Sequence, residues 1–398
     1  MSNLKKNALY FVVIMGVVSL FSDLTYEGAR SLVGPYLGLL GASAFVISTV
    51  AGLGELIGYT LRYFFGRLVD KTKKYWLFAI IGYVVNLLVI PTLALTKHWQ
   101  TAALLVILER VGKSIRKPAK DTITSFAGGQ LGYGTTFALE ELLDQIGATI
   151  GPLFMSISVA NNISSGNLTA YRKSFALLIF PALITLGLLL ITRALVPNPE
   201  KFDEKREEKG IVKFDKMFYL YITAIGLIAF GFADFALISY HAQKNALLSP
   251  ALIPIAYMVA MIVDAFSALI FGRLFDRKGF LALSLSTFIT AFYSIFAFGN
   301  SQSAIILGAV LWGIGMGAQE SILKAAIGKL VDKQIRATAY GFFNAIFGIA
   351  WFAGSALIGL LYSVNLHVLM IVSIISELCA VVILTRINYL VKANEKKN

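Results

Sequence analysis

The sequence has few of the residues that enzymes and secreted proteins rely on. It contains one cysteine, Cys379, and three scattered histidines, His98, His241 and His367. A single cysteine excludes an intramolecular disulfide, and isolated histidines do not have the spacing of a metal-ligand cluster. No nucleophile–base pair is evident either. We therefore expect a protein that is not an enzyme and that has no cofactor and no metal.

Charged residues are also scarce. They make up 14% of the 398 residues, whereas a soluble domain carries about 25%. Hydrophobic residues make up 57%, and the mean hydropathy is +0.75. A soluble chain of this composition would expose large apolar patches and aggregate. The composition therefore excludes a soluble enzyme and a disordered chain, and it indicates a polytopic helical membrane protein.

Apolar runs bounded by charged or turn residues predict twelve transmembrane helices. The predicted spans cover roughly 8–38, 42–65, 75–96, 100–117, 134–160, 172–193, 217–241, 250–272, 279–299, 303–328, 337–362 and 366–388. One long hydrophilic stretch follows the sixth span. The predicted fold is an all-α polytopic membrane protein with an N-terminal six-helix bundle (1–196), a cytoplasmic linker (197–216) and a C-terminal six-helix bundle (217–398).

The net charge of +13 reflects membrane topology rather than nucleic-acid binding. Most of the 35 Lys and Arg residues lie at the chain ends, in the linker or in the loops on that same side of the predicted spans. The positive-inside rule places both termini in the cytoplasm of a protein of the plasma (inner) membrane. The expected partners are a small-molecule substrate, protons and membrane lipid, with no nucleic acid, and we expect a monomer.

The two halves of the chain repeat each other. The segment Gly66–Lys71 (GRLVDK) recurs as Gly272–Arg277 (GRLFDR), and Tyr133-Gly134 recurs as Tyr340-Gly341. A looser match joins Phe21-Ser22-Asp23 to Phe232-Ala233-Asp234. Each match falls in corresponding spans, which indicates a duplicated six-span unit. Many transporters are built in this way, with the substrate site at the repeat interface near the midplane of the membrane.

The predicted loop after span 2, Gly66–Lys74, resembles the signature loop of the major facilitator superfamily: a glycine, an aspartate four residues later, then basic residues. The second copy follows span 8, as in that family. The resemblance covers the whole chain and implies a secondary transporter with two pseudo-symmetric bundles. The motif residues then form a gate that closes the cytoplasmic side. They are Gly66, Arg67, Asp70, Lys71, Gly272, Arg273, Asp276 and Arg277.

Spans 4 and 5 carry two further resemblances to this superfamily. Arg110 is followed by Pro118, and antiporter members have such an arginine, associated with proton coupling. The segment Gly147–Pro152 (GATIGP) resembles the antiporter motif. Packing of small residues against a neighbouring helix is an equal alternative for Gly147, Gly151 and Pro152.

Charges inside predicted spans are the main candidates for a functional site, because they are costly in lipid and usually face a partner or water. Asp23, Glu27 and Arg30 share one helical face of span 1, and Asp23 lies near the midplane, where a carboxylate can bind and release a proton. A static Glu27–Arg30 pair is the alternative. The resemblance implies that span 4, with Arg110 and Lys113, faces span 1.

Charged residues of other predicted spans complete the set of candidates. The predicted cavity and proton-coupling set is Asp23, Glu27, Arg30, Arg110, Lys113, Asp144, Asp234 and Glu320. Arg116 and Lys117 are interpreted as interfacial side chains. Asp264 and Glu377 are interpreted as groups that hydrogen-bond between helices.

The predicted function is secondary active transport by alternating access. Proton-coupled export of an organic or amphipathic compound is the first hypothesis. The alternative is a proton-coupled uptake symporter for an anionic metabolite, favoured by the basic residues of span 4. A channel or lipid scramblase with the same fold is a further alternative.

Overall fold

The computed structural model describes residues 3–131, 133–202, 216–330 and 336–395. Most of the predicted linker, 197–216, lies outside these ranges. The described residues form α-helices joined by short turns and a few 3-10 segments, and they contain no strand. The helices are α1 (Asn3–Leu39), α2 (Ala44–Thr72), α3 (Tyr75–Thr92), α4 (Trp99–Leu131), α5 (Tyr133–Asn162), α6 (Asn167–Leu177), α7 (Ile179–Leu195), α8 (Lys216–Gly231), α9 (Phe235–Lys244), α10 (Leu252–Lys278), α11 (Phe280–Thr290), α12 (Tyr293–Ala297), α13 (Gln302–Leu330), α14 (Arg336–Val364) and α15 (Leu366–Glu395).

Each predicted span corresponds to one long helix or to two consecutive helices. Eleven of these segments are long and apolar enough to cross a membrane. The helix α4 is not among them, because charged residues recur through its middle, from Glu109 to Asp121. The prediction of an all-α polytopic membrane protein is thus confirmed.

Two predicted spans differ from the structure in a way that affects the site. Span 4 was expected to end at 117, but α4 continues through Pro118 to Leu131. Arg116 and Lys117 were expected at the membrane interface, whereas Arg116 and, beyond the predicted end of the span, Lys120 are buried against other helices. Span 7 was expected to be continuous over 217–241, but it consists of α8 and α9, separated by the three residues from Phe232 to Asp234.

The chain forms two compact units. The first unit comprises Met1–Gly41, Ile57–Glu207 and Pro250–Met258. The second comprises Ala42–Leu56, Glu208–Ser249 and Val259–Asn398. The helices α2 and α10 each contribute one part to each unit. The division into bundles 1–196 and 217–398 is a statement about the sequence repeat and stays a prediction.

Aromatic side chains form much of the core of each unit. In the first unit, Phe11 of α1 contacts the rings of Trp76 and Phe202 at centroid distances of 6.5 and 5.9 Å. In the second unit, Phe232 stacks on Trp312 at 5.8 Å and packs on Tyr293 at 4.8 Å.

Candidate functional site

Ten charged side chains gather in the first unit, where α1, α4 and α5 pack together. We call this group the charged cluster. Its members are Asp23, Glu27, Arg30, Glu109, Arg110, Lys113, Arg116, Lys120, Glu140 and Asp144.

One end of the charged cluster joins Asp23 to Arg116. The Arg116 Nη2 atom lies 4.0 Å from Oδ1 of Asp23, and Nη1 donates to Oγ of Ser22 at 2.8 Å. The hydroxyl of Tyr26 donates to Oδ2 of Asp23 at 3.1 Å. The guanidinium also lies over the ring of Tyr83, 4.6 Å from its centroid. The carboxylate of Asp23 thus has a cation on one side and a hydroxyl donor on the other.

The interpretation of Arg116 as an interfacial side chain is wrong. Only 4% of its side chain is exposed. The reason lies in the backbone of α3: a Cβ at Gly82 would collide with the backbone of Arg116, so the glycine lets α4 approach closely enough to bury the guanidinium. Arg116, rather than Arg110 or Lys113, forms the ion pair described for Asp23.

Glu27 occupies the middle of the charged cluster. Its Oε1 atom lies 3.9 Å from Nη1 of Arg30, which is the predicted pair on one helical face. Its Oε2 atom accepts a hydrogen bond of 2.5 Å from the hydroxyl of Tyr257, in the first turns of α10. The ammonium of Lys113 lies 3.9 Å from the centroid of the Tyr26 ring and within electrostatic range of Glu27. Glu27 therefore interacts with groups from three helices.

Lys120 of α4 forms ion pairs with two acids of α5. Its Nζ atom lies 2.5 Å from Oε1 of Glu140 and 3.4 Å from Oδ2 of Asp144. The side chain of Lys120 is 3% exposed and that of Glu140 5%. Asp144 was a predicted site residue, whereas Lys120 was counted with the loop charges. One signal was available: Lys113, Arg116 and Lys120 recur at helical spacing and so share a face of α4.

Arg110 lies beside its sequence neighbour. Its Nε atom is 3.4 Å from Oε2 of Glu109, and Oε1 of Glu109 accepts a hydrogen bond of 2.6 Å from the amide of Asn86. Electrostatic contact also links Arg110 to Glu27 and Lys113. Close packing at Gly112, whose Cβ would collide with the backbone of Asn86, positions this part of α4 on α3.

Two glycines of α5 allow α1 to lie directly against it. A Cβ at Gly147 would collide with the carbonyl oxygen of Leu20. A Cβ at Gly151 would lie 2.5 Å from the carbonyl oxygen of Leu24 and 2.9 Å from the backbone nitrogen of Gly28. This contact positions the carboxylates of α1 next to those of α5. Pro152, the next residue along, is buried.

The remaining predicted cavity residues lie in the second unit. Asp234 is 2% exposed, and its Oδ1 atom accepts a hydrogen bond of 2.9 Å from the backbone nitrogen of Ala236, so it caps the first turn of α9. Glu320 lies on α13 with an exposed side chain. Lys324 shares a helical face with Glu320 in the sequence, and the pair was considered a candidate internal ion pair, but the side chain of Lys324 lies outside the described part of the chain.

The gate motif residues lie on helices rather than in loops. Gly66, Arg67, Asp70 and Lys71 belong to the last turns of α2, and Gly272, Arg273, Asp276 and Arg277 to the last turns of α10. Both aspartates are exposed, and Arg67 lies over the ring of Tyr63 at 4.8 Å. Helical structure through both motifs extends α2 and α10 beyond the apolar spans.

Each acid of the charged cluster lies near a basic side chain, so the buried charges compensate one another. Within the described residues, His, Cys, Asp and Glu side chains form no group that could hold a metal ion.

The sequence profile of the Major Facilitator Superfamily matches residues 8–355 and 244–398 of this chain. An uncharacterized protein of Mycobacterium tuberculosis is 37% identical over 384 residues, which cover 95% of this chain and 93% of the relative. An uncharacterized MFS-type transporter of Methanocaldococcus jannaschii is 28% identical over 368 residues, which cover 89% of each chain.

Two solved structures share the fold at low identity. A nucleoside transporter superposes with a TM-score of 0.70 at 14% identity, covering 96% of this chain and 99% of that one. A bacterial homologue of the human lysosomal transporter Spinster, in an inward-facing and unoccupied conformation, superposes with a TM-score of 0.66 at 12% identity, covering 98% and 96%. The predicted fold of twelve helices in two pseudo-symmetric bundles is confirmed.

Proposed function

The chain belongs to the major facilitator superfamily of secondary transporters, and from that premise we propose that it couples the movement of a small organic solute to protons. The observation that carries the proposal is the charged cluster, in which Asp23 and Glu27 are buried beside basic side chains of α1 and α4. A carboxylate in such a place is a proton acceptor whose protonation changes the charge of its surroundings.

Asp23 is the proton carrier in this proposal. Its two oxygens interact with Arg116 and with the hydroxyl of Tyr26. Protonation removes the attraction between Asp23 and Arg116, whose other described contacts are uncharged: the hydroxyl of Ser22 and the rings of Tyr26 and Tyr83. The guanidinium then becomes available to an anionic group, and deprotonation restores the original pair. Proton binding and solute binding thereby compete for one cation.

Export of an organic or amphipathic compound in exchange for protons is the first form of this function. It is supported by the close contact of α5 with α1 at Gly147 and Gly151, in the segment that resembles the antiporter motif. This close contact would make the acids of α1 and α5 move as one body. Protonation of Asp23 would therefore affect both helices of the first unit.

Proton-coupled uptake of an anionic metabolite is the second form, and a different observation favours it. Glu27 lies beside two cations, Arg30 and Lys113, so basic groups outnumber the acid at this point. A carboxylate or phosphate of a solute would find cationic partners there.

The remaining elements of the proposal follow the positive-inside rule and the repeated motif. Both termini lie in the cytoplasm, and the protein is a monomer of the plasma membrane in contact with lipid. The exposed aspartates Asp70 and Asp276 form the cytoplasmic gate in the closed state. Substrate, protons and lipid are the partners of the protein.

Reconstituted protein tests both the coupling and the direction. A thermal-shift screen of organic anions and amphipathic cations selects binders, which are retested by counterflow in proteoliposomes. With an acidic lumen and no other gradient, an exporter of the antiport type accumulates solute inside, whereas a symporter releases it. A channel moves solute without saturable exchange. Absence of saturable counterflow would therefore contradict a carrier.

Asp23→Asn separates coupling from binding. The change is nearly isosteric, so we expect the variant to fold and to retain counterflow while it loses accumulation driven by the pH gradient. Glu141→Gln is the matched control, since Glu141 is an exposed carboxylate of α5 whose described hydrogen bond is to Gln145. Accumulation by Asp23→Asn at the wild-type rate would show that another group carries the proton.

A further inference from the structure

A buried carboxylate of the second unit has no part in the function proposed above. Glu377 lies in the middle of α15 and is 0% exposed. The sequence interpretation of this residue as a hydrogen-bonding group between helices is wrong. Neither of its carboxylate oxygens has a hydrogen-bond partner among the residues that the structure describes.

The hydroxyl groups around Glu377 donate elsewhere. Ser373 Oγ donates to the carbonyl oxygen of Gly231 at 2.7 Å, and Ser376 Oγ donates to that of Leu227 at 2.7 Å. The hydroxyl of Tyr293 donates to the same Gly231 oxygen at 3.1 Å. Both acceptors lie in the last turns of α8, and the carbonyl group of Gly231 is one of those that the helix end leaves without an intrahelical partner. The local donors therefore serve the helix end and not the carboxylate.

The aliphatic part of the Glu377 side chain lies directly against the break between α8 and α9. A Cβ at Gly231 would be 3.0 Å from Cβ of Ser376 and 3.4 Å from Cγ of Glu377. The glycine thus lets α15 approach the last turn of α8. Any movement of the break changes the surroundings of Glu377, because the same hydroxyls hold the break in place.

Among the residues that the structure describes, no cation pairs with Glu377. The helices α8, α11, α12 and α14 pack against α15. Among their described side chains, the titratable group that interacts with Glu377 is Tyr293 of α12, which is neutral. Asp234, beyond the break, uses a carboxylate oxygen to cap α9. The described residues form no ion pair with Glu377.

An ionised carboxylate is strongly disfavoured when it is buried without donors or a cation, and it takes up a proton instead. We propose that Glu377 is a second proton-binding site, located in the second unit and controlled by the α8–α9 break. With the break in its present form, Glu377 holds the proton as a neutral carboxylic acid. When the break rearranges, the hydroxyls of Ser373 and Tyr293 leave Gly231 and donate to the carboxylate, and the proton passes to water.

This site does not depend on proton coupling at Asp23, since it follows from the surroundings of Glu377 alone. A proton on Glu377 favours the present arrangement of α8 and α9, and loss of the proton favours the rearranged one. The ligand is the proton. A sodium ion is the competing ligand for a buried carboxylate beside helix-end carbonyls, and the experiment distinguishes the two.

Infrared difference spectroscopy of the purified full-length protein tests the proposal without any substrate. At neutral pH the wild type should show the C=O stretching band of a protonated carboxyl group, and Glu377→Gln should lack that component. Glu377→Asp should shift the band rather than abolish it. This variant replaces Glu377→Gln in the test if the glutamine variant does not fold. Glu141→Gln, which changes an exposed carboxylate, should leave the band unchanged. Asp23→Asn should retain the Glu377 component even if the coupling proposed for Asp23 fails.

Two results would overturn the proposal. The first is an identical protonated-carboxyl band in the wild type and in Glu377→Gln, which would mean that Glu377 is ionised. The second is a rise in melting temperature when sodium chloride replaces choline chloride, present in the wild type and absent in Glu377→Gln. That result would assign the site to sodium.

Discussion

Replacement of Lys120 by methionine gives the most direct measure of what the charged cluster contributes to the free energy of unfolding. Lys120 lies between two carboxylates, 2.5 Å from Glu140 and 3.4 Å from Asp144. Methionine keeps most of the length and volume of the side chain and removes the ammonium. Lys120→Met therefore leaves two acids of α5 without the cation that α4 supplies, in surroundings where the acids are largely shielded from water.

The expected loss follows from burial. Breaking a buried ion pair by removing one partner costs about 3–5 kcal/mol of unfolding free energy. Asp144 is 14% exposed and is partly stabilised by solvent, so we expect a value near the lower end, about 3 kcal/mol. Lys117 provides a matched control on the same helix. It lies 3.4 Å from Asp121, but their side chains are 37% and 40% exposed, and an exposed pair contributes about 0–1 kcal/mol.

Reversible SDS titration in mixed micelles, followed by circular dichroism, measures the two variants side by side. Lys120→Met should be less stable than Lys117→Met by about 2 kcal/mol, roughly a 30-fold change in the unfolding constant. A triple variant that also carries Glu140→Gln and Asp144→Asn should regain most of the stability.

Equal stabilities of the two lysine variants would refute the idea that the buried ion pairs hold α4 to α5. Failure of the triple variant to recover would refute it in another way. In that case the destabilisation would not come from the two carboxylates that lost their cation.

Two further predictions concern backbone contacts. Gly147→Ala should lower the unfolding free energy by about 1–3 kcal/mol, because the added methyl group collides with the backbone of α1. Gly58→Ala is the control and should not destabilise the protein, because a Cβ at Gly58 has no neighbour within 4 Å. Equal melting temperatures of the two variants would contradict the close contact of α1 and α5. Asp234→Ala should cost about 0.5–2 kcal/mol through loss of the cap on Ala236, and Asp234→Asn should preserve stability, because asparagine caps equally well. If Asp234→Asn is as unstable as the alanine variant in the same SDS titration, the role of the side chain is not capping.

The helical architecture was predictable because the lipid solvent imposes it. A spanning segment must satisfy its backbone groups internally and be about 20 residues long, so apolar runs identify it directly. The same reasoning failed where the helix does not face lipid. The helix α4 buries Arg116 and Lys120 against other helices, and hydropathy alone assigns such residues to an interface or a loop.

The break in span 7 was not predictable from local sequence. Phe232, Ala233 and Asp234 are all compatible with a helix, and neither glycine nor proline lies among them. The groups that stabilise the break are distant in sequence. The indole of Trp312 donates to the carbonyl oxygen of Ala233 at 2.9 Å, and the hydroxyl of Tyr293 accepts from its backbone nitrogen at 2.5 Å. Tertiary hydrogen bonds therefore replace those that the helix gives up.

The repeat shows how one sequence pattern takes two structures. Asp23 and Asp234 occupy matching triplets, yet α1 is continuous at Asp23 while the chain leaves the helix before Asp234. In the first unit the carboxylate meets the guanidinium of Arg116. In the second unit it turns to the backbone nitrogen of Ala236.

The difference traces to the helix that supplies the counter-charge. Counted back from Tyr133-Gly134 and Tyr340-Gly341, Arg116 and Lys120 of α4 correspond to Leu323 and Ile327 of α13, both of which are buried. Two cations of the charged cluster thus have apolar counterparts in the second unit. Asp234 binds the N-terminal end of α9, which supplies positive potential. For Glu377 we propose a bound proton in place of a cation.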